Sequence, residues 1–497
     1  MTLLAEPAPR TRRRWVRTLA VCTLAAVGGL AVRAFDAHYR FFDMVIYHDA
    51  IRWWSHGGEL YDYAAPVRGE LGFTYPPFAA FVLSPVARVP AATAGWLNAA
   101  GSVLALTVVL AVLAAPIAAR HGRPLRHVLA VAVPLALCTE PVRQTLGFGQ
   151  VNLWLFALVL LDLLVLGRGG SRWAGAGVGI ATAVKLTPGL FIVYLLVTGQ
   201  WRAARTAAVT TGALTAGAFL LAPAESLHYF GDLLWQTDRV GTAAALTNQS
   251  LTGLLARAAG TESAPAGWWL AGCAVVLVVG LRRAWLAHTA GDEVTALTLT
   301  ALTANLVSPM SWTHHLVFLP VAALVLADVA VRRRDPLAAV AAAVVYALSV
   351  ISPIWLAPEG VGGVRALILQ NTFTLLLLAL VALLPWRQAR VRRTPDYGLH
   401  APPRAGAGIR TPARCHWSCG DLHRVVLAPD DRKRNSAAAI AGQDAKLGEG
   451  AVPLVRVPGE GATARVLPEG PGGRPSRQSA GSAGIPGQPQ RRIRPEA

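Results

Sequence analysis

Long apolar runs recur along this chain with only short polar connections between them. The chain has 497 residues, of which 54% are hydrophobic and 15% charged, and its mean hydropathy is +0.44. A helix needs about 20 apolar residues to cross the hydrocarbon core of a membrane. The length and recurrence of these runs therefore predict an all-α polytopic membrane protein.

Thirteen segments are apolar enough to be predicted as helices, although several are too short to cross a membrane unaided. They cover residues 15–34, 76–89, 93–118, 126–141, 151–167, 173–186, 187–199, 204–222, 266–282, 293–308, 314–331, 336–356 and 369–386. We expect about 11 to 13 membrane-inserted helices, some of them short or re-entrant.

Basic clusters between these segments predict the topology. They lie at residues 120–126, 168–172, 202–205, 282–283, 332–334 and 387–393, and they should face the cytoplasm. The basic residues 1–14 place the N-terminus there too, because the apolar stretch that follows is long enough to stay as a helix and lacks a convincing signal-peptide cleavage site. The segments predicted to lie outside are 35–75, 143–150, 224–265, 309–313 and 357–368. The positive-inside pattern explains much of the net charge of +19 more simply than nucleic-acid binding does.

One conflict remains in this topology. From the outer segment ending at residue 75, the cluster at 120–126 must be reached in an odd number of crossings, yet two apolar segments intervene. The first of them, 76–89, is short and rich in proline. It is predicted to be re-entrant or partly inserted, which requires protein or a wet cavity around its freed backbone groups. Otherwise the cluster at 120–126 breaks the charge rule.

The composition changes near residue 390. Residues 391–497 are rich in Gly, Pro, Ala and Arg without periodicity, and they are predicted to form a disordered cytoplasmic tail after a membrane domain at 15–390. Cys415, His416, Cys419 and His423 have a spacing conceivable for zinc, but no second cysteine pair accompanies them. No metal site is predicted, and the five scattered cysteines imply no disulfide framework.

Polar residues concentrate near the predicted outer ends of the helices. They occur in YHDA at 47–50, FTYPPF at 73–78, EPVRQTLGFGQVN at 140–152, NQSL at 248–251 and SPMSWTHH at 308–315. Taken singly, each has an ordinary explanation as a loop carboxylate, a membrane-interface aromatic or a helix kink. Convergence of these segments on one side of the membrane would instead form a site.

Lys185 is the polar residue hardest to explain as ordinary surface. It lies between two half-length helices in VGIATAVKLTPGLFIVYLL, where no ion-pair partner is evident. A cation at such a position suits a lipid phosphate. Together with a carboxylate, aromatic rings and amide side chains, it indicates group transfer from a lipid phosphate. A donor that is a lipid also fits the lack of a nucleotide-binding glycine loop.

Seven motifs then identify a family. In chain order they are FFDMVIYHDA, GELYDY, FTYPPFAAFVLSPVARVP, GFGQVNLWLFALVLLDLL, ATAVKLTPGLFIVYLL, TNQSLTGLLAR and SPMSWTHHLVFLP. In this set the chain resembles the actinobacterial polyprenol-phosphate-mannose-dependent alpha-mannosyltransferases, which are integral enzymes of the C-type glycosyltransferase fold. The resemblance covers about residues 15–390 and implies that fold, whereas the tail looks unlike the family.

The resemblance implies roles for particular residues. The family's catalytic base is an aspartate in the first outer loop, in a pattern like Asp-(apolar)-x-(apolar)-Tyr, and here that pattern selects Asp43, not Asp49. Lys185 and one of two adjacent histidines would bind the donor phosphate, because two neighbouring helical positions cannot face the same way. The histidines are His314 and His315, and the expected sugar or acceptor contacts are Tyr47, Tyr75, Gln150, Trp312 and, at the outer rim, Asn248.

The implied reaction is a single inverting displacement. Asp43 removes a proton from an acceptor hydroxyl, which attacks the anomeric carbon of β-linked polyprenyl-phosphate-mannose and gives an α-mannoside. The implied acceptor is a mannosylated lipid or glycan at the outer face, and no cofactor or metal is implied.

Two alternatives remain open. A lipid-linked arabinosyltransferase could share the same fold, and a lipid or sugar transporter could also contain broken helices and buried charges. The transporter hypothesis explains less, because the two halves of the chain do not repeat the Lys-Leu-Thr-Pro or His-His motifs.

Overall fold

The computed structural model describes residues 35, 37–65, 71–357 and 363–386, which are mainly helical. Seventeen α-helices occur in these ranges: α1 (Phe42–Ser55), α2 (Pro77–Leu83), α3 (Ala91–Arg120), α4 (Leu125–Leu137), α5 (Glu140–Phe148), α6 (Asn152–Leu161), α7 (Ala176–Val184), α8 (Leu190–Val197), α9 (Trp201–Leu221), α10 (Pro223–Gly231), α11 (Leu251–Ala259), α12 (Ala266–Thr289), α13 (Glu293–Val307), α14 (Leu319–Arg333), α15 (Pro336–Ile351), α16 (Val364–Gln370) and α17 (Thr372–Leu383). The predicted all-α class is confirmed for this part of the chain. The predicted segments 1–14, 15–34 and 391–497 lie outside the described residues.

Two of the described helices are long and apolar enough to cross a membrane alone, α3 with 30 residues and α12 with 24. Two further pairs qualify only as bent units, α4 with α5 at 75° and α16 with α17 at 72°. The described ranges thus hold two to four candidate spans, as expected for a membrane protein. The remaining apolar helices are shorter, so the predicted total of 11 to 13 inserted helices and the C-type fold stay predictions.

The first predicted outer loop contains a helix that the apolar runs do not reveal. Helix α1 begins after Phe41, whose φ of 47° turns the chain sharply, and runs for 14 residues. Met44, Tyr47 and Ile51 are buried at a spacing of three and four residues, which forms one face of a helix. Charged residues interrupt the segment, so it is amphipathic rather than continuously apolar.

The segment 76–89 is too short to cross the membrane, as predicted. Helix α2 has seven residues and continues as a 3₁₀ turn over Ser84–Arg88. Seven α-helical residues at 1.5 Å and five 3₁₀ residues at about 2 Å extend about 20 Å, against a hydrocarbon thickness of about 30 Å. Residues 77–88 therefore need not count as a crossing, which is compatible with the predicted re-entrant or partly inserted segment.

Three of the basic clusters, 120–126, 282–283 and 332–334, have arginines bound at one end of the helical bundle. Asp328 on α14 binds both Arg120 at the end of α3, at 2.6 Å, and Arg332, at 2.8 Å. Arg283 on α12 donates to the carbonyl of Leu384, just beyond α17, at 2.6 Å. A similar bond from Arg333 to the carbonyl of Trp386 spans 3.0 Å. The clusters at 120–126 and 332–334, far apart in sequence, thus share one carboxylate, which is compatible with a position on the same side of a membrane.

Helix α3 separates this basic end from the region around Gln150. Asn98, near the start of α3, donates to the Gln150 carbonyl at 3.2 Å, whereas Arg120 ends the same helix. At 1.5 Å per residue the two positions lie about 33 Å apart, close to the thickness of a bilayer core. The segments predicted to be outside can therefore meet at the end opposite the basic clusters.

A sharp break separates α4 from α5. The helix predicted over 126–141 ends at Leu137, and the chain resumes as a helix at Glu140, so much of the predicted outer loop 143–150 is helical. Pro141 lies in the first turn of α5, where its missing N–H costs no bond, and Gly149 ends the helix with a φ of 74°. The predicted outer segment 224–265 likewise contains most of α10 and all of α11.

Candidate active site

A cavity of about 780 Å³ brings together residues from most of the polar motifs. Its lining includes eight of the residues selected from the sequence: Asp43, Tyr47, Tyr75, Gln150, Lys185, Trp312, His314 and His315. They come from α1, the segment before α2, the segment between α5 and α6, the break between α7 and α8, and the segment before α14. The convergence expected from the sequence is therefore present in the structure.

A continuous chain of hydrogen bonds leads to Asp43. The Tyr47 hydroxyl donates to the Tyr75 hydroxyl at 2.9 Å, and Tyr75 donates to Gln150 Oε1 at 2.7 Å. Gln150 Nε2 then donates to Asp43 Oδ2 at 2.7 Å. Burial raises the pKa of both tyrosines, so both hydroxyls stay protonated and able to donate. The network orients the carboxylate of Asp43 at the cavity wall.

Lys185 lies at the break between two short helices, as predicted. Its backbone is extended where α7 ends, and its Nζ donates to Asn152 Oδ1 at 3.0 Å. Nζ also lies 2.9 Å from His315 Nε2 and 5.3 Å from the centre of the Tyr75 ring. Asp43 is close enough to interact with it electrostatically. A cation and a carboxylate thus face one cavity.

The tautomer of His315 is linked to the charge of Lys185, whose pKa burial lowers to about 7. With Lys185 as an ammonium group, which can only donate, His315 Nε2 accepts and the ring proton is on Nδ1. With Lys185 as a neutral amine, His315 Nε2–H can donate to it instead. Asn152 also holds the backbone next to His315, because its Nδ2 donates to the His314 carbonyl at 3.0 Å.

His314 and His315 form a 3₁₀ turn, not the start of the predicted helix at 314, because α14 begins only at Leu319. Their rings are 4.7 Å apart at 87°, and both border the cavity. The assumption that the two histidines occupy α-helical positions is therefore wrong, whereas the expectation that only one of them contacts the donor phosphate stays a prediction. Among the described residues His314 Nε2 is buried without a hydrogen-bond partner, while the Thr145 hydroxyl holds the His314 carbonyl at 2.9 Å.

Asp49 lies in a different environment from Asp43. Its carboxylate binds His48 Nδ1 at 2.7 Å, and the other ring nitrogen of His48 lies 3.0 Å from the Val89 carbonyl. The Asp49 side chain is 42% exposed and does not belong to the cavity lining. Asp43 therefore lines the cavity, whereas Asp49 is paired with His48 outside it.

Asn248 does not line the cavity, although its neighbour Thr247 does. Its side chain is fully buried, donates to the Ala243 carbonyl at 3.0 Å and accepts from the Ser311 amide at 3.0 Å. It also forms the β-bridge with Trp312, whose side chain reaches the cavity. Asn248 therefore positions the segment that carries Trp312.

The lining also contains polar residues that were not selected from the sequence, among them Glu140, Gln144, Arg239 and Trp355. Arg239 donates to the Phe73 carbonyl at 2.6 Å and lies 5.5 Å from the Tyr61 ring. The only local signal for Glu140 and Gln144 was the polar stretch beginning EPVRQ. Arg239 and Trp355 occur in segments predicted to be outer loops or helix ends, where single polar or aromatic residues are ordinary.

In the described ranges one group of side chains has spacing compatible with a metal ion, namely Glu59, Asp62 and His228. Both acids are exposed, and none of the three lines the cavity. The tail residues Cys415, His416, Cys419 and His423 lie outside the described residues.

Comparison with known proteins gives consistent relatives. Residues 73–309 match the family model of glycosyltransferase family 87. The chain is 33% identical over 377 residues to a polyprenol-phosphate-mannose-dependent alpha-(1-2)-phosphatidylinositol mannoside mannosyltransferase of Mycobacterium tuberculosis, covering 71% of this chain and 86% of the relative. The protein of the same name from Mycolicibacterium smegmatis is 33% identical, covering 69% and 82%.

A second type of relative also matches. The polyprenol-phosphate-mannose-dependent alpha-(1-2)-phosphatidylinositol pentamannoside mannosyltransferase of Mycolicibacterium smegmatis is 32% identical, over 53% of this chain and 63% of the relative. No solved structure matches the chain significantly.

Proposed function

The chain belongs to glycosyltransferase family 87, and we propose that it is an inverting membrane mannosyltransferase that uses polyprenyl-phosphate-mannose as donor. The acceptor is a mannosylated lipid or glycan, of which phosphatidylinositol mannoside is the one named for its relatives. The observation that carries the proposal is the juxtaposition in one cavity of the oriented Asp43 carboxylate with the Lys185–His315 pair. A base and a phosphate site are the two parts that the reaction needs.

Asp43 acts as the general base. It takes the proton of an acceptor hydroxyl as the hydroxyl oxygen forms a bond to the anomeric carbon of mannose. The bond from that carbon to the phosphate oxygen breaks on the opposite face, and its electron pair leaves with polyprenyl phosphate. A β-linked donor then gives an α-linked product. Phosphate is a tolerable leaving group, so the step needs no general acid.

Lys185 and His315 stabilise the departing phosphate. A bound phosphate favours the ammonium form of Lys185, which Asn152 holds in place, and in that state His315 carries its ring proton on Nδ1. Charge-assisted bonds of this kind are about twice as strong as neutral ones. His314 is a second phosphate contact, because an anionic oxygen would give its buried Nε2 a partner when that nitrogen is protonated.

Tyr47, Tyr75 and Gln150 act mainly through Asp43. Their polar groups are joined in the chain that ends at the carboxylate, so they position the base and border the sugar without serving as its principal hydrogen-bond donors. Trp312 has an indole at the cavity wall and is the better candidate for stacking against a sugar ring.

The cavity faces the outer side of the membrane in this proposal. Support comes from α3, which separates the region of Gln150 from the basic cluster at Arg120 by about a bilayer thickness. The basic end then faces the cytoplasm by the positive-inside rule. A lipid-linked donor is compatible with an outer-face site, because nucleotide sugars are not needed there.

The test uses the protein reconstituted in lipid nanodiscs with radiolabelled polyprenyl-phosphate-mannose and, separately, with the corresponding pentose donor. We expect label to move from the mannose donor to phosphatidylinositol mannoside, and α-mannosidase should release it. Transfer from the pentose donor alone would favour the arabinosyltransferase alternative. A product resistant to α-mannosidase would overturn the inverting mechanism.

A further inference from the structure

A second carboxylate, Glu140, lies in the lining of the cavity, outside the network of Asp43. It begins helix α5 and is only 5% exposed. Its Oε1 accepts from Gln144 Nε2 at 2.6 Å and from Trp355 Nε1 at 2.7 Å, and its Oε2 accepts from Arg143 Nη2 at 3.0 Å. A buried carboxylate with several donors is held firmly in one orientation.

The partner that distinguishes this site is Trp355. It lies in the 3₁₀ turn Pro353–Leu356, far from Glu140 in sequence, and its ring borders the cavity while 52% of the residue is exposed. An indole that is half exposed stabilises the fold less than a buried one. Its N–H bond to Glu140 nevertheless fixes the direction of the ring. The pair thus presents a rigid apolar surface beside a negative charge.

This combination matches the chemistry of a polyhydroxylated ring. The C–H face of a pyranose or cyclitol packs on an aromatic ring, and its hydroxyl groups donate to a carboxylate. A carboxylate has about four lone-pair positions, and the described residues supply three donors to Glu140. An acceptor hydroxyl can occupy the remaining position. Few but rigid polar groups of this kind set orientation in ligand cavities.

Helix α5 also connects Glu140 to the histidine turn. Gln144, one turn after Glu140, accepts a hydrogen bond from the Thr313 hydroxyl, and Thr145 holds the His314 carbonyl at 2.9 Å. A ligand seated on Glu140 is therefore held by the same helix that supports the proposed phosphate site. Helix α5 therefore links the position of the acceptor substrate to the position of the donor phosphate.

We propose that Glu140 and Trp355 form the subsite for the acceptor's hydroxylated ring, a mannose or inositol unit, and orient it toward Asp43. The proposal rests on the mannosyltransferase function proposed above. It assigns acceptor recognition to a wall of the cavity separate from the Lys185–His315 pair, so the two substrates depend on different residues. Arg143 balances the charge of Glu140 and positions it.

The experiment measures KM separately for polyprenyl-phosphate-mannose and for phosphatidylinositol mannoside. In Glu140→Gln and Trp355→Ala we expect the acceptor KM to rise about tenfold or more, because the first loses a charged hydrogen bond and the second a stacking surface. The donor KM of both variants should stay within about twofold of the wild-type value. Trp355→Phe keeps a ring but loses the N–H, so its acceptor KM should lie between those of wild type and Trp355→Ala. Thermal unfolding of each variant identifies any loss of fold.

Glu225→Gln is the matched control, because Glu225 is another buried carboxylate that binds a backbone amide and lies outside the cavity lining. Its acceptor KM should equal that of wild type. An unchanged acceptor KM in both Glu140→Gln and Trp355→Phe, or an equal rise for both substrates, would refute the subsite. A failure of the proposed function is distinguishable from a failure of the subsite, because in that case the wild-type protein itself would transfer no mannose from the lipid donor.

Discussion

Replacing Gln150 with leucine tests whether the hydrogen-bond chain orients the base. The substitution removes the donor to Asp43 Oδ2 at 2.7 Å and the acceptor for the Tyr75 hydroxyl while roughly preserving side-chain size. A hydrogen bond to a charged group contributes about 1.5–3 kcal/mol. If that energy serves the transition state, kcat/KM for mannose transfer should fall about 10- to 150-fold, since about 1.36 kcal/mol corresponds to a factor of ten.

The assay compares initial rates of labelled transfer in nanodiscs for four proteins: wild type, Gln150→Leu, Asp43→Asn and the double variant. Because Gln150 acts through Asp43, the double variant should be no slower than Asp43→Asn alone. The control Gln200→Leu removes an amide bound to Thr198, outside the cavity lining, and should leave the rate unchanged. Full additivity of the two losses would refute the positioning role of Gln150.

Two further predictions concern Lys185 and Asn248. Lys185→Gln should lower kcat/KM about 10- to 150-fold, with a lower kcat as well as a higher donor KM, because a charged contact to the departing phosphate is lost. The exposed cation variant Arg172→Gln should match wild type, and equal behaviour of the two variants would contradict the phosphate role. Asn248→Ala removes hydrogen bonds to the Ala243 carbonyl and the Ser311 amide. At about 1 kcal/mol per bond, we expect the free energy of unfolding to fall by about 2 kcal/mol, which a lower thermal unfolding temperature would reveal. Unchanged thermal stability with a raised acceptor KM would instead indicate direct ligand contact by Asn248.

The sequence was informative where an ionisable residue interrupts apolar sequence. Lys185 could be selected because an isolated charge between two apolar half-helices is costly unless it has a function or a partner. The structure supplies partners that no local pattern reveals, Asn152 at the start of α6 and His315 in the 3₁₀ turn before α14. The presence of a site could therefore be predicted, but not its hydrogen bonds.

Glu140 illustrates what local sequence could not provide. Its contact with Trp355 joins positions 215 residues apart and depends on the sharp break between α4 and α5. Continuous hydropathy across that break predicted one helix to residue 141 followed by a loop. The conformation at Thr139 and Pro141 turns the chain instead, and places Glu140 in the cavity lining.

Asn248 shows the converse limit. A polar stretch at a predicted outer rim indicates ligand binding as readily as it indicates loop packing, since amide side chains bond backbone groups as well as sugars. Only the surrounding chain decides between the two, and here the amide is enclosed by Ala243 and Ser311. The local conformation of the histidine pair was also mispredicted, because an α-helix was expected where the chain forms a 3₁₀ turn.

The most direct test of the account compares Asp43→Asn with Asp49→Asn in the transfer assay with labelled polyprenyl-phosphate-mannose. Both variants remove one negative charge from the same helix, but only Asp43 lines the cavity, while Asp49 is bound to His48. We expect Asp43→Asn to lower kcat by about 10²–10⁴-fold, the usual contribution of a general base, with unchanged membrane insertion. Asp49→Asn should lose less than about tenfold, the scale of one partly exposed ion pair. Equal activity of Asp43→Asn and wild type would contradict the assignment of the base.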